Sequence, residues 1–221
     1  MLFHDEASVI AAIMENPSAP ALVARLQSAL DEERQRRQQF YAEIDDSMKA
    51  EFINGEVIIH SPVKKDHSEI STLLVKLVDT YVRINQLGFV GHEKVLIALS
   101  RNDYEPDLVY FNANKSKDFQ KSQWKFPVPD FVVEILSYST EKRDKGIKFE
   151  DYAAHGISEY WIIDPDDESI EQYLLNGKEY KLNLKAHKGN IDSVAITGFS
   201  IEIRALFDAE VNLAELKKII G

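Results

Sequence analysis

The sequence predicts a mixed α/β (α+β) fold in which helices flank a central β-sheet, with a helical extension at the N-terminus. Three observations support this prediction. Apolar residues recur at helical spacing near both ends of the chain and over residues 66–88. Short runs rich in Val, Ile, Leu and aromatic residues occupy much of residues 92–203. Two Asn-Gly pairs each separate two such runs, which is a strong signal for a β-hairpin.

The first 40 residues are predicted to form two helices. One short helix has four apolar residues on one face and is ended by Asn16-Pro17: Val9, Ile10, Ile13 and Met14. The next begins near Ala19 and carries Leu22, Leu26 and Leu30 at intervals of four. The charged run DEERQRRQQ that follows is either a solvated helix face or a contact surface for an oligomer or a phosphate. We therefore expect residues 1–40 to be an extension and residues 41–221 to be the main domain.

The main domain is predicted to begin with a hairpin and a long amphipathic helix. The hairpin turns at Asn54-Gly55 within KAEFINGEVIIHSP. In the helix, Asp66 and Glu69 are spaced as a capping box, and Gly88 is a natural stop. The apolar residues at helical spacing are Ile70, Leu73, Leu74, Leu77, Val78, Tyr81 and Val82.

The remaining elements are predicted in the order strands, helix, strand and hairpin. The predicted strands are HEKVLIAL, DLVYF, DFVVEILS and EYWIID, and the helix RDKGIKFEDYAAHG precedes the last of them. The second hairpin is SIEQYLL-NG-KEYKLNL; VAITGFSIEI then adds one or two strands, and NLAELKKII forms a terminal helix. Helices and strands in this order favour a sheet covered by helices.

Composition places the protein among soluble globular proteins and excludes several functions. The 221 residues contain no cysteine, so neither a disulfide framework nor a thiolate metal site can form, and we expect a cytoplasmic protein. No apolar run approaches the ~20 residues of a membrane span. The net charge of -11 argues against a general DNA-coating protein, because DNA affinity comes mainly from Lys and Arg. Bound metal or a local basic patch would have to offset this charge.

Glu134 is the residue whose position most needs an explanation. It lies inside the apolar run FVVEIL, which predicts a strand covered on both faces. An isolated carboxylate there would become neutral or would need a positive partner, and a metal ion or a lysine is the usual one. The alternative is a glutamate at the strand end that bonds to an arginine or to the backbone.

Asp107 could lie beside Glu134. It stands at the start of the predicted strand DLVYF, where active sites of open α/β sheets often have charged residues. The dipeptide Pro106-Asp107 is equally typical of a plain turn, and Pro129-Asp130 repeats it. Two carboxylates on neighbouring strands would supply oxygen ligands for Mg²⁺.

Three further residues are candidates for the same site. Lys148 is either the surface partner of Asp144, four residues before it on one helix, or a lysine that reaches over the sheet toward a metal. Glu56 is either an outer carboxylate or a solvent-facing residue of the turn. His67 is near a helix N-terminus, where it either binds phosphate or a metal-bound water, or simply caps the helix.

Motifs of other enzyme classes are absent from the sequence. It contains no P-loop, no dinucleotide-binding glycine motif, no HExxH and no GxSxG. The histidines lack zinc-ligand spacing, and no C-x-x-C pair is present to hold zinc as in a deaminase.

The sequence resembles the Uma-two family of restriction endonucleases, which belongs to the PD-(D/E)XK nuclease superfamily. The resemblance covers roughly residues 40–205, and its most specific stretch is residues 129–165, beginning PDFVVEILSYSTEKRDKGIKFEDYAAHG. It is also carried by EFINGEVIIHSP, by His67 and by EPDLVYF. The resemblance implies a restriction-endonuclease-like fold with a mixed central sheet between helices.

The resemblance also implies the roles of individual residues. Asp107 matches the Asp of the PD element and Glu134 the acidic residue of (D/E)XK. The motif's lysine would fall at position 136, which is Leu136 here; the matching lysine is Lys148 on the following helix. Glu56 and His67 correspond to supporting positions. Ser137 also belongs to the family pattern, and we interpret it as a strand-end cap.

The sequence thus leads to the hypothesis of an Mg²⁺- or Mn²⁺-dependent endonuclease acting on DNA. Asp107, Glu134 and the carbonyl of Ile135 would hold the metal, and Lys148 would position or help to deprotonate the attacking water. Five basic residues near the site are either a local positive patch or ordinary solvated side chains: Lys64, Lys65, Lys142, Arg143 and Lys145.

Two other functions remain open at the level of the sequence. One is a non-catalytic nuclease-like module for binding or oligomerisation, and the other is a metal hydrolase of a different phosphate substrate. A homodimer built by the N-terminal helices is compatible with each of them.

Overall fold

The computed structural model describes residues 6–45 and 48–221 of the chain. Within these residues the α-helices are α1 (Glu6–Met14), α2 (Ala19–Glu43), α3 (Lys65–Ile84), α4 (Ala113–Ser116), α5 (Glu141–Asp144), α6 (Ile147–Ala154) and α7 (Ala209–Ile220). The first strands are β1 (Ala50–Ile53), β2 (Glu56–Ile59), β3 (Gly88–His92), β4 (Leu96–Ala98), β5 (Asp103–Tyr104), β6 (Leu108–Asn112) and β7 (Lys125–Phe126). The later strands are β8 (Phe131–Ile135), β9 (Glu159–Asp164), β10 (Ser169–Asn176), β11 (Glu179–Ala186), β12 (Asn190–Asp192) and β13 (Ser200–Glu202).

The strands form two main sheets, which confirms the predicted mixed α/β class. The larger sheet has the order β11-β10-β9-β8-β6-β3; β8 and β9 are parallel and the other pairs are antiparallel. The smaller sheet has the order β2-β1-β5-β4-β7, and β12 pairs with β13 separately. The prediction of one central sheet was therefore incomplete, because the first hairpin belongs to the smaller sheet.

The larger sheet is covered on both faces, and the side chains of β8 alternate between the two cores. Successive side chains of a strand point to opposite faces. Phe131, Val133 and Ile135 accordingly pack in the core that includes α3 and the segment leading into α7. Val132 packs in a second core, which lies against α6 and the smaller sheet. Glu134 follows the alternation and shares the face of Val132, between the two sheets.

The first hairpin forms as predicted and sets the position of β1. Asn54 and Gly55 have φ angles of 51° and 84°, the left-handed conformation that an Asn-Gly turn supplies at little cost. β1 pairs with β2 in antiparallel register and with β5 on its other side. This double pairing buries all four residues of β1.

The two N-terminal helices also form as predicted, and α2 continues past position 40 without a break. The last third of α2 is attached to the smaller sheet. The guanidinium of Arg37 donates to the buried carboxylate of Asp103 at 2.6 and 2.7 Å. The Phe40 ring stacks on Phe52, with 5.8 Å between the ring centroids. The predicted boundary between residues 40 and 41 thus falls within one continuous helix.

Several local predictions were wrong. α3 begins at Lys65 without a side-chain cap, so the capping box at Asp66 and Glu69 does not form. α3 ends at Ile84, and Gly88 instead begins β3, a strand that the sequence did not predict. A Cβ at Gly88 would lie 2.0 Å from the carbonyl oxygen of Phe111, so the close pairing of β3 with β6 requires glycine. The helix predicted over residues 143–156 divides at Gly146 into α5 and α6.

Among the residues described here, no helix is both long and apolar enough to cross a lipid bilayer.

Candidate active-site cleft

A cleft of about 540 Å³ opens where β6, β8 and the start of α3 meet the first hairpin. Four of the predicted site residues line it: His67, Asp107, Glu134 and Lys148. The backbone of Ile135 also lines it, whereas Glu56 is exposed on β2 and is not part of the lining. The structure thus brings together five of the six residues that the sequence singled out.

Asp107 and Glu134 are neighbours because of strand pairing. The last register pair between β6 and β8 is Leu108 with Val133. One further step along antiparallel strands places Asp107 opposite Glu134, and residues that are directly opposite project from the same face of a sheet. The backbone N–H of Ile135 donates to Asp107 Oδ2 at 2.8 Å, which ties the two strand ends together.

Asp107 is an ionised carboxylate with two basic neighbours. His67 Nε2 lies 3.2 Å from Asp107 Oδ2, and Lys49 Nζ lies 3.2 Å from Asp107 Oδ1. Burial raises the pKa of Asp107, but the hydrogen bond from His67 and the charge of Lys49 outweigh burial and hold the pKa well below its usual range. Lys49 was not predicted, because it precedes β1 and gave no periodic signal.

Lys148 lies at the centre of a buried cluster of carboxylates. Its Nζ is 2.9 Å from Glu134 Oε1, 2.9 Å from Glu51 Oε1 and 3.2 Å from Asp144 Oδ1. Burial lowers the pKa of Lys148, but the three carboxylates outweigh it and raise the pKa well above the ordinary value. The predicted partnership with Asp144 therefore exists, but it is buried between the sheets rather than exposed on the surface.

The positive charge of Lys148 does not compensate for the burial of Glu134 and the carboxylates around it. Lys148 and the hydroxyl of Tyr152 both donate to Glu134 Oε1, at 2.9 and 2.8 Å. Burial raises the pKa of Glu134 well above its ordinary value, and the nearby carboxylates of Asp144 and Asp107 raise it further against the opposing effect of Lys148. An additional cation beside Glu134 would relieve this shortage.

Glu51 is a second site residue, after Lys49, that sequence reasoning missed. It is fully buried on β1, and its Oε2 lies 3.0 Å from His60 Nε2. Burial raises the pKa of Glu51, but Lys148 and His60 outweigh burial and lower the pKa to about 2. The alternation of residues along β1 could have identified Glu51. Ala50 and Phe52 point to one face of the strand, so Glu51 points to the other face together with Ile53, which packs in the core between the sheets.

The cleft is not a basic surface. Seven acidic residues line it: Asp66, Glu105, Asp107, Glu134, Glu141, Asp164 and Asp166. Among the residues that the structure describes, four lysines and arginines do so: Lys49, Lys64, Arg143 and Lys148. Lys64 and Arg143 are thus the two members of the predicted basic patch that reach the cleft, while Lys65 and Lys145 pair with Glu69 and Glu141.

The carboxylates at the cleft fit a magnesium site in which water and substrate supply most of the ligands. No group of three or more His, Asp and Glu side chains is arranged for a metal in residues 6–45 and 48–221. Mg²⁺ commonly takes only one or two protein carboxylates and completes its shell with waters and substrate phosphates. Asp107 and Glu134 are two such carboxylates, adjacent to each other at the cleft.

The fold is shared with a solved structure. The chain matches the crystal structure of "a putative nuclease belonging to DUF820" from Anabaena variabilis ATCC 29413 with a TM-score of 0.66. The match covers 81% of this chain and 97% of that chain at 18% sequence identity, so it shows a shared fold.

The family follows from the sequence itself. The model of the Uma2 family, described as "Putative restriction endonuclease", matches residues 31–204. The chain therefore belongs to the Uma2 family, which confirms the resemblance noted from the motifs. The match begins within α2, so α1 and the first part of α2 lie outside it. A comparison with curated proteins gave no match.

Proposed function

We propose that this protein is a metal-dependent endonuclease that hydrolyses phosphodiester bonds in DNA with Mg²⁺ or Mn²⁺. One observation carries the proposal: Asp107, Glu134 and Lys148 converge at a single cleft in a chain of a restriction-endonuclease family. Asp107 and Glu134, with the carbonyl of Ile135, would hold the cation. When bound, the cation would polarise a phosphoryl oxygen and lower the pKa of an attacking water.

The protein's own residues have separable roles in this proposal. Lys148 holds Glu134 Oε1 and, through Glu51 and Asp144, is itself held in one position. His67 and Lys49 keep Asp107 ionised and oriented. Such preorganised charges need no rearrangement when negative charge builds on the phosphate.

The charge of the cleft supports a requirement for metal. Acidic residues outnumber lysines and arginines in the lining, so the cleft offers a phosphate little positive charge in the absence of a cation. A divalent ion next to Glu134 would make the electrostatic potential at this point of the cleft positive. It would also supply the positive charge that Glu134 lacks.

A second candidate function is a non-catalytic module that keeps the nuclease fold. The observation that favours it is the burial of Lys148, whose side chain is 1% exposed and surrounded by three carboxylates. A lysine in this position can stabilise the fold without ever reaching a substrate.

Two further features belong to the proposal. The lack of cysteine supports a cytoplasmic location. The outward-facing apolar residues of α1 and the first half of α2 support a homodimer formed through these helices; they include Ile10, Met14, Val23 and Leu26.

The test is a cleavage assay on plasmid and single-stranded DNA with Mg²⁺, Mn²⁺ or EDTA. We expect cleavage that EDTA abolishes and that Glu134→Gln reduces by at least about 10³-fold, since the metal loses a charged ligand. Lys148→Met should also be inactive, because Glu134 is then no longer held.

The matched control is Glu56→Gln, which removes an exposed carboxylate outside the cleft and should leave the rate unchanged. No cleavage by the wild type on any DNA would favour the non-catalytic module. Equal cleavage by wild type and Glu134→Gln would show that the activity comes from a contaminant.

A further inference from the structure

The walls of the cleft carry apolar side chains that the fold leaves uncovered. Tyr138 is 99% exposed, and Ile59 and Val63 are 68% and 48% exposed. All three line the cleft, and Tyr138 is only four residues beyond Glu134. A tyrosine in this position adds nothing to the core, so packing does not explain it, and an exposed apolar group beside a site is typical of a binding surface.

The loop that carries Tyr138 is held by its own hydrogen bonds. The Ser137 N–H donates to Thr140 Oγ1 at 3.2 Å, and the Thr140 N–H donates to the Ser137 carbonyl at 3.1 Å. The hydroxyls of Ser137 and Ser139 lie 3.1 Å apart. The ring of Tyr138 is therefore presented on an ordered turn, which reduces the entropy lost when a ligand packs against it.

The charge of the cleft weakens phosphate contacts for every nucleic acid. Affinity for duplex DNA comes largely from lysines and arginines that neutralise phosphates. Here acidic residues outnumber these in the lining, so the phosphates of a duplex or of a single strand would gain little, and contacts with the bases must supply more of the affinity. Unpaired bases bind in another way, because each base can stack on an aromatic ring irrespective of its sequence. Paired bases in a duplex do not expose their faces to such a ring.

We propose that Tyr138, assisted by Ile59 and Val63, is a stacking platform for an unpaired base, and that the substrate is single-stranded DNA. Tyr138 would hold the base next to the phosphate that reaches Asp107 and Glu134. The assignment of substrate rests on the proposed nuclease function, whereas the stacking itself does not require cleavage.

The test measures binding separately from catalysis. Labelled single-stranded DNA and the duplex of the same sequence are titrated with the full-length Glu134→Gln variant in Mg²⁺, and fluorescence anisotropy gives both affinities. We expect the single strand to bind about tenfold more tightly than the duplex. Adding Tyr138→Ala should weaken single-strand binding about tenfold, whereas Tyr138→Trp should preserve it because the indole also stacks.

The matched control is Trp124→Ala, which removes a half-exposed aromatic side chain that does not line the cleft and should not change binding. The proposal is overturned if the duplex binds as well as the single strand, or if Tyr138→Ala binds like the parent. Tighter binding of single-stranded RNA than of DNA would overturn the choice of DNA. Failure of the nuclease function would appear only in the cleavage assay, so the two failures are distinguishable.

Discussion

Glu134 and Glu159 are two buried glutamates in the same sheet, and their carboxylates have different hydrogen-bond partners. They lie on the adjacent parallel strands β8 and β9. Glu134 is inside a run of apolar residues, and Glu159 stands at the start of one. Both are almost inaccessible to solvent. They point to opposite faces, because Glu159 shares the face of Trp161, which packs in the core beside α3, whereas Glu134 faces α6 and the smaller sheet.

Glu159 is fully satisfied by uncharged donors. Trp161 Nε1 and Gln172 Nε2 each donate to its Oε1 at 2.6 Å. The Ser193 hydroxyl and the backbone N–H groups of Val194 and Ala195 donate to its Oε2 at 2.7 to 2.9 Å. The three hydrogen bonds to Oε2 fix the loop before β13 against the sheet, and the two to Oε1 come from residues of β9 and β10.

Glu134 instead receives two hydrogen bonds, both on Oε1, from Lys148 and Tyr152. Its other neighbours include carboxylates that raise its pKa. The comparison teaches that burial of a carboxylate does not indicate function by itself. The number and kind of donors decide whether the group is a structural link or one that still needs a cation.

The largest expected effect on stability comes from removing Glu159. Glu159→Ala leaves these five donors, three of them buried, without this acceptor, and we expect the free energy of unfolding to fall by about 4 kcal/mol in urea titrations. The exposed Glu179, at the start of β11, is the matched control, and Glu179→Ala should change stability by less than about 0.5 kcal/mol. A loss below about 1 kcal/mol at Glu159 would show that the loop is not held by this carboxylate.

A third buried carboxylate, Asp103, extends the comparison to an arginine partner. Arg37→Ala removes the bidentate donor and leaves Asp103 buried without a counter-charge, so we expect a loss of about 3 kcal/mol, measured by thermal and urea unfolding. Arg34 on the same helix pairs with Asp31 in solvent, and Arg34→Ala should cost less than about 0.5 kcal/mol. Equal losses in the two variants would contradict the role of Asp103 in attaching α2.

The smallest expected effect on stability is that of Glu134→Gln. A carboxyl whose pKa is raised by folding is harder to ionise in the native protein than in the unfolded chain, so its charge costs stability at neutral pH. The amide removes this cost, and Lys148 keeps Glu51 and Asp144 as partners. We expect a change of less than about 1 kcal/mol in the free energy of unfolding. A loss above about 2 kcal/mol would show that Glu134, like Glu159, is mainly a structural link.

Local signals predicted much of the fold. The Asn54-Gly55 turn, the apolar spacing of α3 and the uninterrupted apolar run of β9 each follow from preferences within a few residues. Asp107 and Glu134 were identified in the same way, Asp107 as a charged residue at the start of a predicted strand and Glu134 as a carboxylate inside an apolar run. The prediction was wrong at Gly88 and at Gly146. Gly88 is in close contact with the backbone of a strand that is distant in the sequence, and Gly146 is in close contact with the backbone of the preceding turn.

The sequence by itself determined most of the helices and strands and identified Asp107 and Glu134 as candidates for chemistry, because these depend on short-range patterns. Only the tertiary structure decided that Glu51 joins Glu134 around Lys148, that Glu56 stays outside, and that Glu159 is closed off by neutral donors. The physical reason is that the ionisation of a buried carboxylate is set by the donors and charges within a few ångströms. Those groups are brought there by strand register and sheet packing across long separations in the chain.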